Sequence, residues 1–378
     1  MAAEPIAYPL PPPAAGFRIM LMLTLVGAAA AIYRFAVGLG ASTHLSDNVP
    51  WGLWIGVDVL SGVALAAGGF TIAAAVHIFN MKKYRPIARP AILTAFLGYF
   101  AVVIGLVIDI GKPLAFWHPL VMWNYRSVMF EVVCCVTLYS LVLALEFAPV
   151  FLERWRLPRL QRILVFLTLP LVIMGIVLSF LHQSSLGGVF LIMPHKIPAL
   201  WYTPNMPYLF FLSAVALGLA MVSLESIVSA RTLKRPHEID ILQGLANGAR
   251  ITLGIYLVFK IGDLAFRGVL PDIFSSGKAS LFFLVELLVG VITPIVLYSL
   301  RSIRTSMNGL LFAASCVIAG TIMNRLNINF FAQAGEHTRY FPSIVEILVT
   351  VGLVSFMILL YRLAVTHLPV FHEEGVNE

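Results

Sequence analysis

A lone carboxylate in an apolar run is the first chemistry this sequence offers. Asp58 follows Pro50-Trp51-Gly52-Leu53-Trp54-Ile55-Gly56-Val57, and the stretch 50–69 is otherwise about as apolar as lipid. An ionisable group left among hydrocarbon tails is expensive, so Asp58 must face protein. Gly62, Ala66 and Gly69 follow it at helical spacing, a small-residue stripe that lets a neighbouring helix approach on the carboxylate's own side. Asp109, Glu131 and His182 stand near the ends of three further apolar runs, and His77, Glu146, Glu225 and Arg250 form a sparser second set. Carboxylates and neutral imidazoles exchange protons with bound substrates, and burial disfavours the charged form of either group. A quinone suits such surroundings. Its carbonyls accept hydrogen bonds, its ring packs on aromatic walls, and its two-electron reduction requires two protons. Asp58, His182, Glu131, Trp54 and Ser185 are therefore the candidate quinone-binding residues. Asp109, Glu131, Glu146, Glu225, Arg250 and His77 are the candidates for proton transfer.

The elements that position these groups are membrane spans. Sixty per cent of the 378 residues are hydrophobic and 11% are charged, with a mean hydropathy of +0.93, which excludes an ordinary soluble domain. About ten apolar runs are long enough to cross a bilayer, at 17–40, 51–80, 88–111, 126–152, 160–182, 206–230, 243–267, 280–300, 307–325 and 342–365. The expected fold is all-α, a single polytopic membrane helix bundle over 17–368. A flexible Pro-rich lead at 1–16 precedes it and an acidic tail at 369–378 follows. The lead has no basic n-region and no evident cleavage site, so the first apolar run reads as a retained span. The second, fourth, sixth and eighth connections carry thirteen lysines and arginines, against seven in the odd-numbered ones. The positive-inside rule then puts both termini and the even connections in the cytoplasm, and the odd connections outside a bacterial inner membrane. Asp58, Asp109, Glu131, His182, Lys260, Asp263 and Glu286 all fall towards that outer side. The formal charge of +7 is topological and is no sign of nucleic-acid binding.

Other polar residues have plainer readings. Lys260, Asp263 and Arg267 stand at i,i+3 and i,i+4 spacing and predict an internal ion-pair ladder. Trp117, His118, Trp123 and Tyr125 read as an interfacial aromatic belt. The polar run His182-Gln183-Ser184-Ser185 predicts a break at the end of the fifth span. Cys134, Cys135 and Cys316 have no metal-ligand spacing, so no metal site and no iron–sulfur cluster is expected in this chain. A bis-histidine haem needs two histidines at similar depth. His77 and His182 fall at opposite faces, so no haem is expected either.

Several of these segments resemble the HybB branch of the NrfD-like family. They are Pro50-Trp51-Gly52 through Asp58 with Gly68-Gly69, Ile108-Asp109-Ile110-Gly111, and Ser127-Val128-Met129-Phe130-Glu131. Leu145-Glu146-Phe147-Ala148-Pro149, His182-Gln183-Ser184-Ser185 and Tyr340-Phe341-Pro342 complete the set. The resemblance runs over nearly the whole chain and includes the ten-span layout. It implies a cofactor-free, quinone-reactive integral membrane subunit of an uptake nickel–iron hydrogenase or related oxidoreductase, with quinone or menaquinone exchangeable. A periplasmic ferredoxin-like iron–sulfur subunit, itself beside hydrogenase large and small subunits or another oxidoreductase module, would dock on the outer face. The family's acidic and histidine positions fall on Asp58, Asp109, Glu131 and His182. Arg126, at the mouth of the fourth span, departs from the expected neutral residue.

The reading is thus a membrane anchor that moves electrons between an iron–sulfur partner and quinone near the outer face, with proton translocation as a coupled option. It would not catalyse the primary substrate's reaction. The alternative is a secondary transporter or ion-conducting protein whose buried acids carry protons or sodium. Such proteins often show inverted repeats and helices broken at mid-membrane, and no convincing repeat relates 17–182 to 206–365.

Overall fold

The computed structural model describes residues 15–235, 238–275, 277–333 and 340–371. Most of the Pro-rich lead and of the acidic tail lies outside the described residues. Ten long helices dominate: α1 (Ala15–Val37), α2 (Trp54–His77), α3 (Arg85–Asp109), α4 (Val128–Arg154), α5 (Thr168–Val189), α6 (Met206–Leu233), α7 (Ile239–Phe266), α8 (Lys278–Ser299), α9 (Met307–Gln333) and α10 (Ile344–His367). Among the described residues nine helices are long and apolar enough to cross a membrane, so the chain is a multi-span, all-α membrane protein. The tenth, α7, has 28 residues, as many as α6, but Asp240, Arg250, Lys260 and Asp263 make it more polar.

Two groups of four helices pack side by side. Helices α2 to α5 form one and α6 to α9 the other, joined where α6 meets α2 and α5 and where α9 meets the start of α2. Helices α1 and α10 pair with each other, and α10 also lies along α3. Close approach needs small residues, and the crossings supply them: Gly68 faces Gly218 between α2 and α6, and Gly27 faces Gly352 between α1 and α10. The Asp58 stripe behaves as its spacing predicts. Asp58 packs on Gly105, Gly62 on Val102, Ala66 on Gly98 and Gly69 on Ala95 of α3.

Four local features depart from the sequence expectations. First, Trp54–Ser61 and Leu288–Ile292 are π-helical, a geometry with an extra residue per turn that recurs at functional sites. Second, α5 does not break at His182 but runs on to Val189. The Ser184 and Ser185 hydroxyls fold back towards the Leu181 carbonyl, at 2.9 and 2.7 Å, so polar side chains are accommodated without opening the helix. Third, the span expected from 160 divides at Leu167 into a short helix, Pro158–Phe166, and α5. Pro170 has no N–H for the Phe166 carbonyl, which accounts for the division. The ninth helix also outruns its expected end at 325, because its polar residues Asn324, Arg325, Asn327 and Asn329 find partners in the interior.

Candidate functional site

The odd-numbered connections gather at one end of the bundle, and there α1, α2, α3 and α10 bring their ionisable residues together. Asp58 is buried in the π-helical start of α2, and its Oδ2 accepts a 2.8 Å hydrogen bond from the Thr350 hydroxyl of α10. Asp109 closes α3. Its Oδ1 is buried without a hydrogen-bond partner among the described residues, and Arg34 and Glu346 are the charges that act on it. Arg34 spends one guanidinium nitrogen on the Ile110 carbonyl at 2.7 Å. Glu346 is fully buried at the start of α10. Its Oε2 accepts from the Ser343 and His44 amides, which closes a capping box, and its Oε1 accepts from the Tyr340 hydroxyl. That hydroxyl in turn accepts from the Leu53 amide at 2.7 Å, and the Trp54 indole donates to the Glu346 carbonyl at 3.1 Å. Tyr340 thus ties the mouth of α2 to the start of α10. Burial, and then the Glu346 carboxylate beside it, pushes its phenol well above the ordinary value.

His182 belongs to a neighbouring polar file between α3, α4 and α5. Its Nδ1 lies 2.7 Å from the Tyr99 hydroxyl, and its Nε2 is buried without a partner among the described residues. Gln183 is equally buried, and both ends of its amide lack partners. Tyr99 meets Tyr139 edge to face at 4.5 Å between ring centroids. Beyond Tyr139, towards the other end, Glu146 lies against the Gly175 backbone. Glu131 stands apart from the buried acids. It is exposed on the outside of α4, and its Oε1 lies 2.5 Å from the hydroxyl of the buried Ser185.

The remaining candidates are spread more widely. Glu225 is buried near the even end and accepts from the Tyr361 hydroxyl. His77 is exposed where α2 ends, and Arg250 donates to Asn247 on its own helix at 2.8 Å. Trp54 serves as a strut through its indole bond. Of the expected ladder only Asp263–Arg267 forms, at 2.8 Å, and Lys260 turns instead to the Leu200 carbonyl at 2.8 Å. Asp263 also accepts from Thr203 and Asn205.

A second buried carboxylate lies in the other half of the bundle. Glu286, two residues before the π turn of α8, accepts from the Trp201 indole at 2.8 Å and from the amides of Asn324 and Asn327 at 3.0 and 2.6 Å. Arg325 lies under the Phe210 ring and donates to Asn324, Ser213 and the Phe210 carbonyl. A cavity of about 20 Å³ beside Glu286, Lys260 and Tyr256, and one of about 10 Å³ beside Glu225, are the size of a water molecule.

Thr350, Tyr99, Glu346 and Arg34 were not singled out from sequence, and Tyr340 entered only through the resemblance of Tyr340-Phe341-Pro342. Two left a trace: Ser343-x-x-Glu346 has capping-box spacing, and Thr350 is a hydroxyl in an apolar run. His182 sits in the odd half with Nδ1 engaged by Tyr99 and His77 is exposed at the even end, so these two do not face each other across one haem.

Comparison with known proteins agrees with this architecture. The family described as Polysulphide reductase, NrfD matches residues 41–334. A protein of Nitratidesulfovibrio vulgaris is 38% identical over 365 residues, covering 93% of each chain. The probable Ni/Fe-hydrogenase 2 b-type cytochrome subunit of Escherichia coli is 32% identical over 90% of this chain and 88% of its own. The integral membrane subunit of menaquinone reductase from Nitratidesulfovibrio vulgaris is 29% identical over 91% of this chain and 89% of its own. With a family match across most of its length and relatives that align nearly end to end, the chain belongs to the NrfD family.

Proposed function

We propose that this chain is the quinone-reactive membrane subunit of a respiratory oxidoreductase, exchanging electrons between an iron–sulfur partner and quinone or menaquinone. The observation that carries the reading is the set of buried polar atoms in the odd half without partners among the described residues: Asp109 Oδ1, His182 Nε2 and the Gln183 amide. Unpaired groups of this kind are costly in a finished interior, and a quinone carbonyl, or a water leading to one, supplies what they lack. The relatives support it, being named for hydrogenase and menaquinone reductase subunits. A nickel–iron hydrogenase or another oxidoreductase module is the corresponding electron source. On the positive-inside reading, the partner docks on the periplasmic side of a bacterial inner membrane.

Reduction of one quinone takes two electrons from the partner and two protons through this chain. Thr350 orients the Asp58 carboxyl and Tyr99 orients the His182 imidazole. With Tyr99 donating to Nδ1, the imidazole proton sits on Nε2, free to donate to a quinone oxygen. Asp109 passes protons at the odd end. Glu131 and Ser185 mark where a lipid-borne ring meets the bundle, since Glu131 faces outward and Ser185 inward. Protons drawn instead past Tyr139, Glu146 and Glu225 would cross the membrane and conserve energy.

The test is purification of the tagged chain from its native membrane. An iron–sulfur polypeptide should accompany it, and the complex should transfer electrons to a soluble menaquinone analogue. A chain that purifies alone and catalyses ion uptake in vesicles would overturn the reading in favour of a transporter.

A further inference from the structure

We infer that the connection between α4 and α5 is a binding site for anionic phospholipid headgroups. Arg154, Arg156, Arg159 and Arg162 fall within nine residues and all four are exposed. None has a hydrogen-bonding or ion-pairing side-chain partner among the described residues. The carboxylate nearest in sequence, Glu153, is taken by Arg89 at 2.9 Å, and Arg89 also holds the Pro369 carbonyl. Four guanidiniums with no acid to neutralise them form a surface of one sign.

The backbone holds this surface against the membrane boundary. The span α4 ends at Arg154, and α5 begins only at Thr168. Between them, Arg156 takes a left-handed conformation with φ of 55°, where glycine is the usual residue and a side chain costs about 1–2 kcal/mol. The Arg156 and Leu157 amides return to the Glu153 and Leu152 carbonyls, closing the helix in a Schellman pattern. The helix Pro158–Phe166 then sets Arg159 and Arg162 one turn apart on one face, with Leu160 and the buried Leu164 opposite. Trp155, Ile163 and Phe166 are exposed by 67, 55 and 83%. Apolar side chains interleaved with unpaired arginines are what the headgroup boundary accommodates, rings and chains towards the acyl region and guanidiniums at the phosphates. Arginine's planar fork matches two phosphate oxygens at once. A diphosphate lipid such as cardiolipin, or adjacent phosphatidylglycerols, fits four of them better than any single free anion.

The experiment uses the purified full chain, delipidated and then titrated with cardiolipin, phosphatidylglycerol or phosphatidylcholine in native mass spectrometry. Cardiolipin and phosphatidylglycerol should remain bound where phosphatidylcholine does not. In the variant R154Q/R156Q/R159Q/R162Q their affinity should fall on the order of a hundred- to a thousand-fold. Replacing the four by lysine preserves the topological charge, so it guards against misinsertion, and should weaken cardiolipin more than phosphatidylglycerol. Equal retention of zwitterionic and anionic lipid by the native chain overturns the proposal. Full displacement of the lipid by millimolar inorganic phosphate also overturns it, reducing the site to a general anion patch.

Discussion

Asp58 in the first group of helices and Glu286 in the second are both buried carboxylates at π-helical turns, yet their surroundings are opposite. Glu286 is met by three N–H donors, from Trp201, Asn324 and Asn327. An N–H can only donate, so these three contacts suit a carboxylate and none of them can accept an acid proton. Asp58 is met by one hydroxyl, from Thr350. A hydroxyl donates to a carboxylate and accepts from a carboxylic acid, so the Asp58 shell serves both protonation states. The same residue chemistry, in the same kind of helix distortion, is held by fixed donors in one half and, on the proposed reading, is free to exchange a proton in the other.

The comparison breaks most visibly at Asp58. Asn in its place keeps the size and an acceptor for Thr350 but cannot give up or take a proton. Quinone-linked turnover of the assembled complex should fall by about 10²- to 10⁴-fold, the range of general acid–base contributions, with thermal unfolding almost unchanged. If D58N turns over normally in a correctly assembled complex, Asp58 is as structural as Glu286. The reciprocal change, E286Q, should act on stability. An amide nitrogen would point at donors, leaving Lys260 and Arg325 without a compensating charge, and losing one partner of a buried charged set costs about 3–5 kcal/mol. Lower accumulation and an earlier unfolding transition, with turnover per assembled complex retained, is the expected outcome. The reverse pattern would make Glu286 the exchanging group.

A smaller effect separates orientation from exchange. T350V removes the only hydroxyl that bonds Asp58 among the described residues, and T350S restores it. Loss of one hydrogen bond is worth about 1 ± 0.5 kcal/mol, so turnover in T350V should drop by about fivefold and recover in T350S. Indifference to both changes would mean that Asp58 is oriented by something else.

How much of this was visible in the sequence follows from what each feature depends on. A charge in an apolar run is conspicuous, so the burial of Asp58 and its small-residue stripe were legible, and so was the many-helix layout, although nine and not ten helices are long and apolar enough to cross a membrane among the described residues. The partners were not. Thr350 lies 292 residues from Asp58 and Tyr99 lies 83 from His182, and each partner's own segment reads as an unremarkable span. The π turns were missed because one inserted residue leaves the apolar pattern intact. Spacing misled at Lys260, which turns to the Leu200 carbonyl in the connection between α5 and α6, while Asp263 is occupied by Arg267, Thr203 and Asn205. It misled again at His182, where the Ser184 and Ser185 hydroxyls bond back to the Leu181 carbonyl and the helix runs on.

The smallest expected effect concerns what keeps the Asp58 end closed. Tyr340 donates to Glu346 and accepts from the Leu53 amide, a bridge outside the spans with no counterpart at Glu286. Its phenol is pushed well above the ordinary value by burial and by the neighbouring carboxylate, so the folded state holds this proton more tightly than the unfolded chain does. The bridge's contribution is therefore fully present below the unfolded phenol value, about 10, and is lost as pH rises above it. Y340F removes both hydrogen bonds and should lower stability by about 1–3 kcal/mol at neutral pH. Because phenylalanine cannot ionise, the gap between variant and native chain should narrow from about pH 10 upwards. Thermal unfolding of the two chains at pH 7 and pH 10.5 measures both quantities. A gap that stays constant with pH would show that Tyr340 acts by packing alone, and that the Asp58 end is held shut by the Ser343–Glu346 cap without it.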